Sequence, residues 1–178
     1  APYGNPQSPD IDRYIKTIQT ELTDVKPDGS LWLNQRYFDY ATGLRMVREK
    51  DWEKLFGFPK RQPEDPLEDH HCNLGLAIQQ FTEDVVIRMA QEAKRLTGAK
   101  NLCLAGGVAL NCVANGKIQQ AGIFETVYIQ PAAGDAGGSL GAALAAEHIY
   151  FGQARKTATV LDDMQGSYLG PEFTDHDV

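Results

Sequence analysis

The sequence has only three cysteines in 178 residues, Cys72, Cys103 and Cys112. Their number is odd and none forms a close CxxC pair, which disfavours a zinc site and points to free thiols in a reducing, cytoplasmic compartment. No stretch approaches the roughly 18 apolar residues a membrane span needs. Positive charge is also in short supply: 17 Lys and Arg face 24 Asp and Glu, a net charge of −7. That balance argues against nucleic acid or an anionic membrane surface as the main partner. The glycines never fall into GxGxxG or GxxxxGK[ST], so an ordinary dinucleotide site or P-loop is disfavoured. The opening APYGNP lacks the charged and apolar regions of a signal peptide.

What is present has the composition of a globular domain, with 42% hydrophobic and 23% charged residues. A chain of this length buries enough surface to need no disulfide scaffold. Over 8–24, Ser8 is placed as an N-cap, and Ile11, Tyr14, Ile15, Ile18 and Leu22 follow at helical spacing. Lys26–Gly29 reads as a turn, 30–34 as a short strand, 49–56 as a short helix and 59–66 as a proline-containing loop. The charges of 45–54 suit a solvated face. From Leu74 to Leu96, apolar residues including Ala77, Ile78, Phe81, Val85 and Met89 recur at three and four, and Gly98 ends the run. The spacing predicts a long helix with one face packed on a sheet. His70, His71 and Cys72 stand just before it. Adjacent helical residues point about 100° apart, so a chelating cluster is disfavoured and a surface at the helix start is expected.

Two similar units follow. Residues 101–105 form a short apolar strand that breaks at Gly106-Gly107, and 108–120 can form a helix. Residues 127–130 form a second strand, broken at 131–138, and an alanine-rich helix runs to about Phe151. Strand, glycine turn and helix, repeated, indicate an α/β layer with the two strands parallel and adjacent. Residues 153–166 are polar and suit a linker. Thr174 and Asp177 resemble a capping box, so a helix is expected to begin there, and both chain ends look cut.

The turns are the candidate sites. Glycines at Gly106-Gly107 let a ligand approach the backbone, and free helix N–H groups favour an anion; a tight turn with close packing explains them equally. Asn111, placed one turn inside the helix, can reach back toward that turn or be a tolerated polar residue, and Asn115 is a weaker candidate. Asp135 stands between Gly134 and Gly137-Gly138. Its carboxylate can hold a divalent metal beside phosphates, or simply cap the helix. Gly138, Gly141, Ala142 and Ala145 form a small-residue face that suits close helix packing.

Four segments, APYGNP, NLCLAGGVALNCVANGKI, VYIQPAAGDAGGSLGAAL and YLGPEF, resemble consecutive signatures of the nodulation-protein and antibiotic O-carbamoyltransferases. The resemblance spans nearly the whole chain and is most specific over 102–144. It implies an α/β fold that is the second half of an actin-like (ribonuclease H-like) ATPase domain over 1–152, a mixed sheet flanked by helices. Residues 153–178 would then lead toward a second, carbamoyl-phosphate-activating domain. The resemblance places Gly106, Gly107 and Asn111 on an ATP pocket. It makes Asp135 a ligand of a divalent metal (iron in many relatives, magnesium as the alternative), with Gly134, Gly137 and Gly138 shaping the adjoining loop. In full-length relatives an upstream His-x-x-x-His pair completes the metal site, and this sequence contains no such pair. The implied reaction moves a carbamoyl group from carbamoyl phosphate, through a carbamoyl-adenylate, to an acceptor hydroxyl on a sugar or other natural product. The piece alone, without the rest of the parent chain, is expected to be inactive. Two alternatives are a tRNA threonylcarbamoyl-adenosine transferase-like enzyme and a non-catalytic nucleotide-binding module of the same fold. APYG and YLGPEF argue against the first.

Overall fold

The computed structural model describes residues 3–155, 164, 167, 170–174, 176 and 177. The chain divides into two compact units, one made of residues 1–100 and 113–125, the other of residues 101–112 and 126–178.

In the first unit, helix α1 spans Pro9–Thr17 and closes in a π-helical turn, Ile18–Leu22. Ser8 is its N-cap, accepting the Asp10 N–H at 3.3 Å, with Pro9 in the first turn. Strands β1 (Thr23–Val25) and β2 (Leu31–Leu33) pair antiparallel. The hairpin turn is set by Asp28, whose carboxylate accepts the Ser30 N–H at 2.9 Å and hydroxyl at 2.7 Å. Gly29 is required there twice over: its φ is +84°, and a Cβ would lie 2.6 Å from Met89 Cγ. Helix α2 covers Glu49–Phe56 and ends on Gly57, also left-handed at φ 84°.

Helix α3 covers Asp69–Thr97 and stops at left-handed Gly98. Its apolar stripe meets helices and loop residues, where a sheet was expected. Ala77, Phe81 and Val85 bury themselves against Tyr14, Ile18, Leu22, Tyr37 and Phe56. Tyr14 and Phe56 meet edge-on at 5.6 Å, a favourable aromatic geometry. The stripe is longer than this partner surface, so Ile78, Met89 and Leu96 remain exposed at 41%, 54% and 67%. The charges at 45–54 do lie on a solvated face, where Arg45 and Lys60 both pair with Glu49.

Helix α4, Cys112–Gln120, is tied to α3 by a partly buried ion pair between a buried carboxylate and a half-exposed lysine. Glu83 is 6% exposed in its side chain, accepts from the Gln79 amide at 2.8 Å, and pairs with Lys117. Ala114 and Ile118 of α4 are fully enclosed beside it.

In the second unit, β3 (Asn101–Leu104) and β4 (Thr126–Ile129) pair parallel, with Leu104 opposite Ile129. The expected arrangement is present, with β3 ending one residue sooner than the sequence placed it and β4 lying one residue earlier. The two pairs of strands are separate small sheets flanked by helices. Helix α5 covers Gly137–Ala145 and continues as a π-helical turn, Ala146–Tyr150. None of its residues is buried, so the small face of Gly138, Gly141, Ala142 and Ala145 has no tight packing partner among the described residues. The polar linker expected over 153–166 falls mostly outside the described residues. The Thr174–Asp177 contact expected of a capping box does form, with the Asp177 carboxylate accepting the Thr174 N–H at 2.8 Å and its hydroxyl at 2.7 Å. No helix among the described residues is long and apolar enough to cross a membrane.

Lys117→Met removes the partner of a buried carboxylate and is expected to cost about 1–3 kcal/mol in urea unfolding. Replacing Glu83 as well, by Met, should recover most of that loss, because an apolar pair of similar volume leaves no orphan charge. A double variant no more stable than Lys117→Met would show that the pair contributes more than its own desolvation.

Candidate functional site

The candidate site lies in the second unit, where both strands run out into glycine turns. Past β3, Gly106 takes φ 101° and ψ 160°, a conformation open to glycine and strained for other residues. Its N–H donates to Ala133 O, in the turn after β4, at 2.8 Å. Gln130 N–H likewise donates to Leu104 O at 3.1 Å, carrying the strand pairing into the two turns. A Cβ on Gly134 would meet Leu110 at 3.7 Å, ordinary contact distance. The two turns therefore lie side by side.

A continuous helix over 108–120 does not form. Gly107–Leu110 is a 3-10 turn anchored by buried Ala109, whose N–H donates to Gly106 O at 2.9 Å. Asn111 is extended (φ −75°, ψ 90°), and α4 starts only at Cys112. Asn111 thus sits at the junction, not one turn inside a helix. The cause is local: Gly106 forces a turn too tight to feed an α-helix directly, and one extended residue realigns the chain.

The five glycines separate by what a side chain would meet. Gly137 is structural, since a Cβ would fall 2.0 Å from Ala132 O. Gly106 is structural through its φ. Gly107 and Gly138 would meet nothing within 4 Å. Both are exposed and neither has positive φ, so packing and backbone give no reason for glycine there.

Asp135 is exposed on the second turn. The capping role does not form: the N-cap of α5 is Ala136, in helical conformation and without a side-chain cap bond. Only the backbone of Asp135 is engaged, its carbonyl accepting the Gly138 N–H at 3.1 Å. Among the described residues no partner holds its carboxylate. An exposed carboxylate with both oxygens free suits a hard divalent cation. It is one ligand, and no group of three or more His, Cys, Asp or Glu that could hold a metal occurs among the described residues.

Two side chains beside the turn carry no glycine or charge signal and were not singled out from sequence. Val108 and Leu110, on the 3-10 turn, are 58% and 55% exposed although both are apolar. Alternation around buried Ala109 is the trace they leave in the sequence. His70 and His71 lie elsewhere, in the first unit, at the start of α3 where the sequence placed them, and their rings meet with Nε2 atoms 3.1 Å apart. His71 is turned back to accept the Glu68 N–H, which overrides the divergence of neighbouring Cβ vectors.

Comparison with known proteins gives consistent kinships. The family described as carbamoyltransferase N-terminus matches residues 1–144. An uncharacterised protein of Synechocystis sp. is 48% identical over the whole chain, which covers 28% of that protein. Nodulation protein NolNO of Sinorhizobium fredii is 39% identical over 61% of the chain and 15% of its own length. Nodulation protein U of Rhizobium tropici is 33% identical over 76% of the chain and 24% of its own length. The chain thus spans between 15% and 28% of the length of these relatives.

The glycine contrast is testable by substitution. Gly137→Ala should destabilise by about 1–3 kcal/mol through forced backbone movement. Gly138→Ala, inside a helix and in open space, should stabilise by about 0.5–1 kcal/mol. Equal effects in thermal unfolding would remove the distinction between a structural and a ligand-facing glycine.

Proposed function

We propose a function from one premise: this chain belongs to the carbamoyltransferase N-terminus family. It is read as part of an ATP-dependent O-carbamoyltransferase, contributing the second half of an actin-like domain over 1–152, with 153–178 leading to a carbamoyl-phosphate-activating domain. The repeated strand–glycine turn–helix unit, with its strands parallel, supports that placement.

In the proposed reaction, carbamoyl phosphate, ATP and one water give carbamoyl-adenylate, phosphate and pyrophosphate. The acceptor oxygen, of a sugar or another natural product, then attacks the carbamoyl carbon. The bond from that carbon to the phosphate oxygen breaks, AMP leaves, and the hydroxyl proton is released. This chain's share is binding and orientation. Gly107 and Gly138, open above their backbones, let the nucleotide approach the two turns. Gly106, through its φ, and Gly137, through its close approach to Ala132, give the turns their shape, and Gly134 lies where the two turns meet. Asn111, at the junction before α4, offers an amide at the edge of the first turn. Val108 and Leu110 present apolar surface that fits the face of a base. Asp135 would contribute one ligand to a divalent metal, iron or magnesium, which when bound would polarise the reacting group and offset phosphate charge.

The observation that carries the reading is that Asp135 is free. Among the described residues its carboxylate neither caps α5 nor pairs with a neighbour, and it stands on a turn joined by a backbone bond to the glycine turn of β3. In the full-length protein, Asp135→Asn should leave thermal stability of the metal-free form within about 0.5 kcal/mol, as expected of a surface substitution. Metal content and carbamoyl transfer should both collapse, since Asn keeps the shape and loses the charge. Full metal occupancy with full turnover would refute the assignment. This 178-residue chain by itself should form no carbamoyl-adenylate, and detection of the adenylate would move the chemistry elsewhere.

A further inference from the structure

We propose that the first turn of α3 is a proton-sensitive latch, closed only while His71 is neutral. The geometry fixes where each proton sits. Glu68 N–H donates to His71 Nδ1 at 3.1 Å, so that nitrogen carries no proton and the neutral ring keeps its proton on Nε2. His71 Nε2 lies 3.1 Å from His70 Nε2, which must then be the acceptor, leaving the proton of His70 on Nδ1. The Glu68 side chain completes the reciprocal cap by accepting the His71 N–H. Phe58 packs on both rings, at 4.3 Å from His70 and 5.5 Å from His71.

Protonation of His71 removes an acceptor, because it sets Nδ1–H against the Glu68 N–H. The groups facing His71 are His70 on its own helix, Glu68 at the cap, and Arg61 and Asp65 on the preceding loop. Burial, then His70 and Arg61, hold the His71 pKa below its ordinary value, against the smaller opposing pull of Glu68 and Asp65. The sign follows. A histidine with depressed folded pKa contributes stability that is present above the ordinary value of about 6.5 and is lost as pH falls from there through the folded value.

The latch reaches α1 through the residue two positions on. Buried Asn73 accepts the Asn5 N–H at 2.9 Å and donates to Ser8 Oγ at 3.2 Å, and Ser8 caps α1. Opening the first turn of α3 therefore frees the segment 4–8 and loosens the start of α1.

The test is amide hydrogen exchange on the full-length protein between about pH 7.5 and about pH 5.5, either side of the ordinary histidine pKa. After correction for intrinsic rates, the amides of 68–73 and of Asn5 should lose about tenfold in protection at the lower pH, the scale of a lost cap. His71→Gln supplies the control, because Gln at the third helical position accepts the same N–H and does not titrate. Its protection should stay flat across the range. Unchanged protection in the natural protein, or an equal loss in His71→Gln, would overturn the latch. Nitrogen NMR of the natural protein at the higher pH reads the tautomers directly: His71 should carry its proton on Nε2, and a proton on Nδ1 would equally overturn it.

Discussion

A pair of turns far apart in sequence can serve one ligand only if something holds them together, and here that is the parallel pairing of β3 with β4. The register sets Leu104 opposite Ile129, and two further backbone bonds, Gln130 to Leu104 and Gly106 to Ala133, extend it past the strand ends. A slip of one residue would reverse which faces the strands present and separate the Gly106 turn from the Gly134–Gly138 turn. The free Asp135 carboxylate, the open backbones of Gly107 and Gly138, and the apolar exposure of Val108 and Leu110 all take their positions from that pairing. Ligand sites on α/β sheets commonly lie where strands run out at their carboxyl ends, and this arrangement has the same logic.

Much of this was legible from residue type alone. Ser8 capped, α2 fell on 49–56, α3 ended on Gly98, and both strand–turn units formed, because each rested on local chemistry that needs no knowledge of the partner. What failed depended on the partner. The α3 stripe announced a buried face and could not say that aromatic side chains of α1 and α2 would meet it in place of a sheet. Asn111 looked helical because the run 108–120 can form a helix, and the 3-10 turn that follows Gly106 has no signature in composition. His70 and His71 stand at the start of α3 where the sequence placed them, and the cap bond three residues back that decides the rotamer of His71 was not visible there. In the site itself the glycines were visible in sequence. Which of them are structural became visible only from the distances a Cβ would have to other atoms.

The two units stand on different forces, and that difference bears on function. The first unit is held by large side chains, with Tyr14, Phe56, Phe81 and Val85 buried together and a carboxylate–ammonium pair beneath α4. The second, which carries the candidate site, buries only Ala109 and Ala133 among its described apolar residues. Burying a methyl contributes little next to the roughly 1.5–3 kcal/mol of a buried Leu or Phe. Backbone hydrogen bonds therefore define the geometry of the site, and such bonds are weak in net terms when water can replace them. Elements that bind ligands are characteristically drawn from the less stable parts of a protein. A frame of this kind gains most from a ligand that bridges its turns, since binding energy adds directly to the stability of the form that binds. A nucleotide phosphate seated between the Gly107 and Gly138 backbones, with a cation on Asp135, would supply such a bridge, so ligand binding and ordering of the site become one event in the proposed enzyme.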